Sequence, residues 1–152
     1  MIEVLVNGAS GRMGSEVVRS VMAEEGLAIA GAVDPAAAGK DLGEVVGIGH
    51  NGITISPNLE EAFKVKKPDV VVDFTSPKVI YENAKFVLSH GVNMVIGTTG
   101  LTADQRKELS EIANKEGFLF VETSNGDNYE IRKSDVADFI VLEAERCGHA
   151  VD

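Results

Sequence analysis

The 152-residue sequence predicts an α/β protein, a doubly wound parallel sheet with helices on both faces. Three observations carry that expectation. Short apolar runs alternate with amphipathic segments along the chain. Several runs, Val70-Val71-Val72 above all, are apolar at consecutive positions, so both faces of the strand need cover. The first run, Ile2–Val6, opens into a loop with glycines three residues apart, followed by a segment of helical periodicity.

Each element has its own justification. After the glycine loop, Ser15–Glu24 places Val17, Val18, Val21 and Met22 on one helical stripe. Leu27–Val33 is the second strand. The Gly- and Ala-rich stretch from Asp34 to Asn51 reads as loop, with a short strand at Val45-Val46, and Ile53–Ile55 reads as another short strand. Asn58 with Glu61 is a capping-box variant that opens a helix over about 59–66, ended by Pro68. Asp69–Phe74 is a buried strand. Ser76-Pro77 starts the next helix, with Ser as cap and Pro at the first position, and Gly91 ends it. Val92–Ile96 is another buried strand. Thr102 and Gln105 form a capping box for a helix presenting Leu109, Ile112 and Ala113, stopped by Gly117. Phe118–Val121 is a further strand. Ser134–Arg146 reads as a last helix, with Asp135 and Asp138 at its start and Arg146 at its end, as the helix dipole favours. Ser124–Tyr129 is the one linker-like stretch. The whole is expected to form a single domain over 1–152, with 126–152 as a tail bearing a C-terminal helix.

Composition limits the functions open to such a chain. Lys and Arg number 14 against 24 Asp and Glu, a net charge of −10, and no basic run exceeds two residues. Nucleic acid is therefore not an expected partner, because phosphate tracking needs clustered cations. Apolar runs are strand-length, so no membrane span is expected. The single cysteine, Cys147, allows no internal disulfide, and Met1-Ile2-Glu3-Val4 has no basic leader; both suit the cytoplasm. The histidines, His50, His90 and His149, are scattered and no metal site is expected.

The glycine loop is the sharpest motif: Asn7-Gly8-Ala9-Ser10-Gly11-Arg12-Met13-Gly14. Its G-x-x-G-x-x-G form, between a strand and a helix, is a variant of the Rossmann dinucleotide fingerprint. Gly8 permits a tight exit from the strand, Gly11 lets backbone approach a pyrophosphate, and Gly14 lets the helix pack on the sheet. The helix start then offers N–H groups to phosphates. Asp34 follows Gly14 by 20 residues, at the end of the second strand, where an acid reaches ribose hydroxyls. An acid there repels a 2′-phosphate and favours NADH over NADPH, while Arg12 and Lys40 are cations that soften the preference. Two further strand-end loops, Asp73-Phe74-Thr75-Ser76-Pro77 and Gly97-Thr98-Thr99-Gly100, bring small and hydroxyl side chains to the edge where such folds bind ligands.

Taken together, Gly8–Gly14, Val33-Asp34, Val72–Pro77 and Val95–Gly100 resemble the dihydrodipicolinate reductase family of bacterial lysine synthesis, over residues 1–125. The resemblance implies an N-terminal domain that binds NADH or NADPH. It implies that Gly8, Gly11, Arg12 and Met13 line the pyrophosphate and adenosine ribose, and that Asp34 holds the ribose. Phe74 and Thr75 would lie along the middle of the cofactor, with Gly97 and Thr99 toward the nicotinamide. Ser10, Gly14 and Thr98 complete the candidate set. It further implies a second, substrate-binding domain after Glu122–Asn125, with a His-rich helix and a Lys-bearing Asp-x-Pro-Ser-Gly-Thr loop. The sequence from Gly126 onward carries neither, and its Arg132, Lys133 and His149 read as solvated positions. No catalytic residue is assigned. Three functions stand open: a cofactor-binding domain with little activity alone, an active small oxidoreductase with a different substrate, and a cofactor-free interaction module. The partner expected is a small-molecule dinucleotide, and homo-oligomerisation is left open.

Overall fold

The computed structural model describes residues 1–98, 100–116 and 120–122. Five strands, β1 (Ile2–Asn7), β2 (Leu27–Val33), β3 (Val70–Asp73), β4 (Asn93–Ile96) and β5 (Phe120–Glu122), form one sheet in the order β2-β1-β3-β4-β5. Every pairing is parallel. The order reverses between β1 and β3, which is the switch point where such sheets open a ligand crevice. Outside β2, Ser56 makes a single parallel bridge to Val33. Counting that residue as a vestigial strand gives the 3-2-1-4-5-6 order of the Rossmann fold.

Strand alternation divides the interior into two cores. Val4, Val6, Val70, Val72 and Val95 point to one face and pack with Val17, Val18 and Val21 of α1 (Arg12–Ala23) and with Leu42 and Val46. Leu5, Val71, Met94 and Ile96 point to the other. There they meet α3 (Leu59–Val65), α4 (Ile80–Ser89) and α5 (Ala103–Glu116) through Leu59, Ala84, Val87 and Leu109. Each such Val, Leu, Ile or Met side chain stabilises the fold by about 1.5–3 kcal/mol. Covering both faces is what the run of three valines in β3 demands. Among the described residues no helix is long and apolar enough to cross a membrane.

Several boundaries differ from the sequence expectation. Helix α1 begins at Arg12, inside the glycine loop, rather than at Ser15, and Met22 is 44% exposed. Val17, Val18 and Val21 already fill the arc that faces the sheet. Val45-Val46 is not a strand. Asp41 caps a short helix, α2 (Leu42–Val45), whose Leu42 and C-terminal neighbour Val46 are buried four residues apart on one face. Ile53–Ile55 forms no strand either; only Thr54 and Ser56 make single bridges, to Asp41 and Val33. Helix α4 starts at Ile80, after a turn at 77–79. The Ser76 hydroxyl accepts from Lys78 N and its carbonyl from Val79 and Ile80, so Ser76 begins the turn that leads into the helix. The Asn58 cap and the reciprocal Thr102–Gln105 box form as expected. The Gly117 stop, the Ser124–Tyr129 linker and the Ser134–Arg146 helix lie outside the described residues.

Candidate functional site

The glycine loop is held against the sheet by its own backbone. Gly8 turns out of β1 with φ +88° and donates to Val33 O at 2.8 Å. A Cβ on Gly8 would stand 2.3 Å from Phe74 O, and one on Gly14 only 1.8 Å from Gly8 O. Both glycines are therefore required by backbone contact between β1, α1 and the β3–α4 loop. Gly11 differs. Its φ is −71°, which any residue adopts, and a Cβ would meet only Gly8 O at 3.4 Å. The fold alone does not require glycine there.

Gly11 is the N-cap of α1 and offers no side-chain cap, and the first turn holds no acid. By contrast Asp41 caps α2, accepting from Glu44 N at 3.0 Å, and Asn58 caps α3, accepting from Glu61 N at 2.8 Å. The first amides of α1 have no intrahelical acceptor and carry the positive end of the helix dipole. Arg12, the first helical residue, is exposed beside them.

Asp34 ends β2 and caps a 3₁₀ turn, Pro35–Ala37, its Oδ1 accepting from Ala36 N at 3.0 Å. Its Oδ2 accepts from Ser10 N at 3.0 Å and, in a short contact, from the Ser10 hydroxyl. Ser10 thus ties the glycine loop to the end of β2. With two donors on Oδ2 and one on Oδ1, Oδ1 is the oxygen with acceptor capacity to spare.

A groove of about 460 Å³ runs along this edge, and Gly8, Gly11, Asp34, Phe74 and Thr75 of the expected set line it. Ser10, Arg12, Met13, Gly14, Gly97 and Thr98 do not. Met13 packs on the α1-side core. A Cβ on Gly97 would lie 2.0 Å from the Phe74 ring, so Gly97 makes room for that ring under the groove. Thr98 is buried, 6% exposed, and bonded to Asp73. Thr99 lies outside the described residues. The groove also takes Asn7, Asn58, Leu59, Val79 and Asn83, none of which was expected.

Asp73, at the head of the β3-end loop, also stands outside the expected set of site residues. Its side chain is fully buried at the end of β3, opposite Asn7 of β1. Burial pushes its pKa up, opposed by hydrogen bonds from Thr75, Thr98 and Asn7. A polar residue closing each of two neighbouring apolar runs was the available signal. A second acid, Asp41, braces the 41–52 loop and stands 3.3 Å from His50, with Glu44 alongside. Desolvation raises its pKa, but the N–H groups of Glu44, Asn51 and Gly52 and the His50 charge outweigh it and leave the value lowered.

A parallel sheet with a glycine turn at its first strand end, an uncapped helix start behind it and an acid at the next strand end defines a nicotinamide-dinucleotide-binding domain of the Rossmann type. The model of the family described as dihydrodipicolinate reductase, N-terminus, matches residues 2–125. The chain belongs to that family, through its N-terminal dinucleotide-binding domain. It is 45% identical over 118 residues to the 4-hydroxy-tetrahydrodipicolinate reductase of Thermosynechococcus vestitus, a match covering 75% of this chain and 43% of the relative. The enzyme of the same name from Methanococcus aeolicus is 40% identical over 131 residues, 82% of this chain and 48% of the relative. Among solved structures, dipicolinate-bound dihydrodipicolinate reductase from Paenisporosarcina sp. TG-14 superposes with a TM-score of 0.69 at 31% identity, covering 82% of this chain and 48% of that one. GenD2, solved in complex with NAD, shares the fold with a TM-score of 0.66 at 20% identity, covering 80% of this chain and 34% of that one. The chain thus spans less than half the length of the relatives it matches.

Proposed function

We propose that the chain binds NADH or NADPH in the strand-end groove, with NADH preferred, and has little reductase activity by itself. The observation that carries this reading is Gly11: glycine where the fold does not need it, at the uncapped start of α1. A bare backbone there lets a pyrophosphate reach the α1 amides, with Arg12 alongside. The residues present fit such a group. Gly8 and Gly11 would pass the phosphates, and Asp34 Oδ1 would take a ribose hydroxyl. Phe74 and Thr75 would flank the middle of the cofactor, and Gly97, Thr98 and Thr99 would shape the nicotinamide end. The chemistry a bound nicotinamide supplies is hydride transfer. The reductase its relatives are named for must also hold and protonate a substrate, and among the described residues lining the groove there is no Lys, Arg or His. In the lysine-pathway reaction named for its relatives, this chain would therefore contribute cofactor binding.

The carboxylate of Asp34 also sets the preference, since a 2′-phosphate would stand against it. Asp34→Ala should weaken NADH and strengthen NADPH in parallel fluorescence titrations of the full chain. An unchanged ratio would assign Asp34 to loop capping alone.

A further inference from the structure

Asp73 lies behind the groove without lining it, yet it gathers five donors from four parts of the fold. Its Oδ2 accepts from Asn7 Nδ2 at 2.9 Å, at the end of β1, and from Asn83 Nδ2 at 3.3 Å, in α4. Its Oδ1 accepts from Thr75 N at 3.1 Å and Thr75 Oγ1 at 2.6 Å, in the β3–α4 loop. The same oxygen accepts from Thr98 Oγ1 at 3.0 Å, just after β4. Thr98 Oγ1 in turn accepts from Thr75 N at 2.8 Å, which closes a ring of bonds. Asn7, Thr75 and Asn83 all line the groove, and each turns a polar atom away from it to this one carboxylate.

Burying a carboxylate is costly, and the valines before it show that an apolar side chain suits this strand. What an ionised carboxylate adds is two oxygens that only accept. An amide serves these donors less well: its N–H₂ would face Thr75 N, or would force the side-chain amides of Asn7 and Asn83 to turn over. We infer that Asp73 is a positioning residue for the cofactor groove: it locks the ends of β1, β3 and β4 and the start of α4 into one surface. This rests on the dinucleotide reading proposed above. Asp34 and the α1 amides stand at the ends of β2 and β1, where the adenosine and pyrophosphate would bind. The Asp73 ring sits at the ends of β3 and β4, in the other half of the crevice, under the nicotinamide half.

The test compares NADH with ADP-ribose, which keeps the adenosine, both riboses and the pyrophosphate but lacks the nicotinamide. Asp73→Asn and Thr98→Val in the full chain should each weaken NADH about tenfold, the effect of losing one or two well-placed bonds. ADP-ribose binding should change much less, and the blue shift of bound NADH emission should shrink. Thr98→Ser, which keeps the hydroxyl, should restore both. Circular dichroism checks folding; if Asp73→Asn does not fold, Thr98→Val, which deletes one hydroxyl, decides the matter. Equal weakening of both ligands by Thr98→Val, or no change in either, would overturn the positioning role. Failure of the unaltered chain to bind either ligand would instead overturn the cofactor reading, and the positioning role with it.

Discussion

At the scale of single residues, Gly8, Gly11, Gly14 and Gly97 look alike in the sequence, but each is small for a different reason. Gly8 needs its positive φ and its closeness to Phe74 O, and Gly14 its closeness to Gly8 O. Gly11 answers to neither constraint. Gly97 clears space for the Phe74 ring, and its consequence is testable. Gly97→Ala should push that ring toward the groove, cost about 1–3 kcal/mol by overpacking, and lower NADH affinity; thermal melts and titration together check it. An Ala variant with both unchanged would mean that the ring moves freely. The roles of Gly8 and Gly14 were legible because spacing and context fix them. That of Gly97 was not, because its neighbour Phe74 lies 23 residues away in sequence and the contact exists only once β3 and β4 are paired. Asp73 stayed hidden for the same reason: three of its five donors, on Asn7, Asn83 and Thr98, sit in other parts of the fold, and only the two on Thr75 are local.

At the scale of elements, the caps expected at Asn58 and Thr102 form, while Ser76 starts a turn ahead of α4 instead of capping it. Asn58 and Thr102 form their caps because the partners lie three residues away, within reach of any chain that turns helical. The stretch after Asp34 departs from expectation because β-branched Val45-Val46 favours a strand, while the decisive contacts run from Asp41 to Glu44, Asn51 and Gly52. Those contacts carry a pH dependence. The lowered pKa of Asp41 means that its contribution to the folded loop is complete above the unfolded value of about 3.9. It is lost as pH falls through the lower folded value. Amide chemical shifts of Glu44, Asn51 and Gly52 should titrate together with a midpoint below about 3.9. A midpoint at or above it would contradict the bracing role of Asp41.

At the scale of the whole molecule, alternation of strands and helices, together with β3 valines apolar on both faces, was enough to reach the parallel sheet and its two cores. The strand order was not readable, since it depends on which side of β1 each crossover returns. The reversal between β1 and β3 brings together the ends of both strands and, across them, the glycine loop, Asp34 and Phe74-Thr75. The uncapped α1 start is where the phosphates of the proposed cofactor would sit. Titrating the full chain with NADH, unaltered and as Gly11→Asp, tests this placement most directly, with thermal midpoints measured alongside. The unaltered chain should give saturable, blue-shifted NADH fluorescence. Gly11→Asp should lose that response with a thermal midpoint equal or slightly higher, because Asp caps a helix at least as well as Gly, by a few tenths of a kcal/mol. Undiminished NADH binding by Gly11→Asp, or no response from the unaltered chain up to about 1 mM NADH, where even weak sites fill, would contradict that placement.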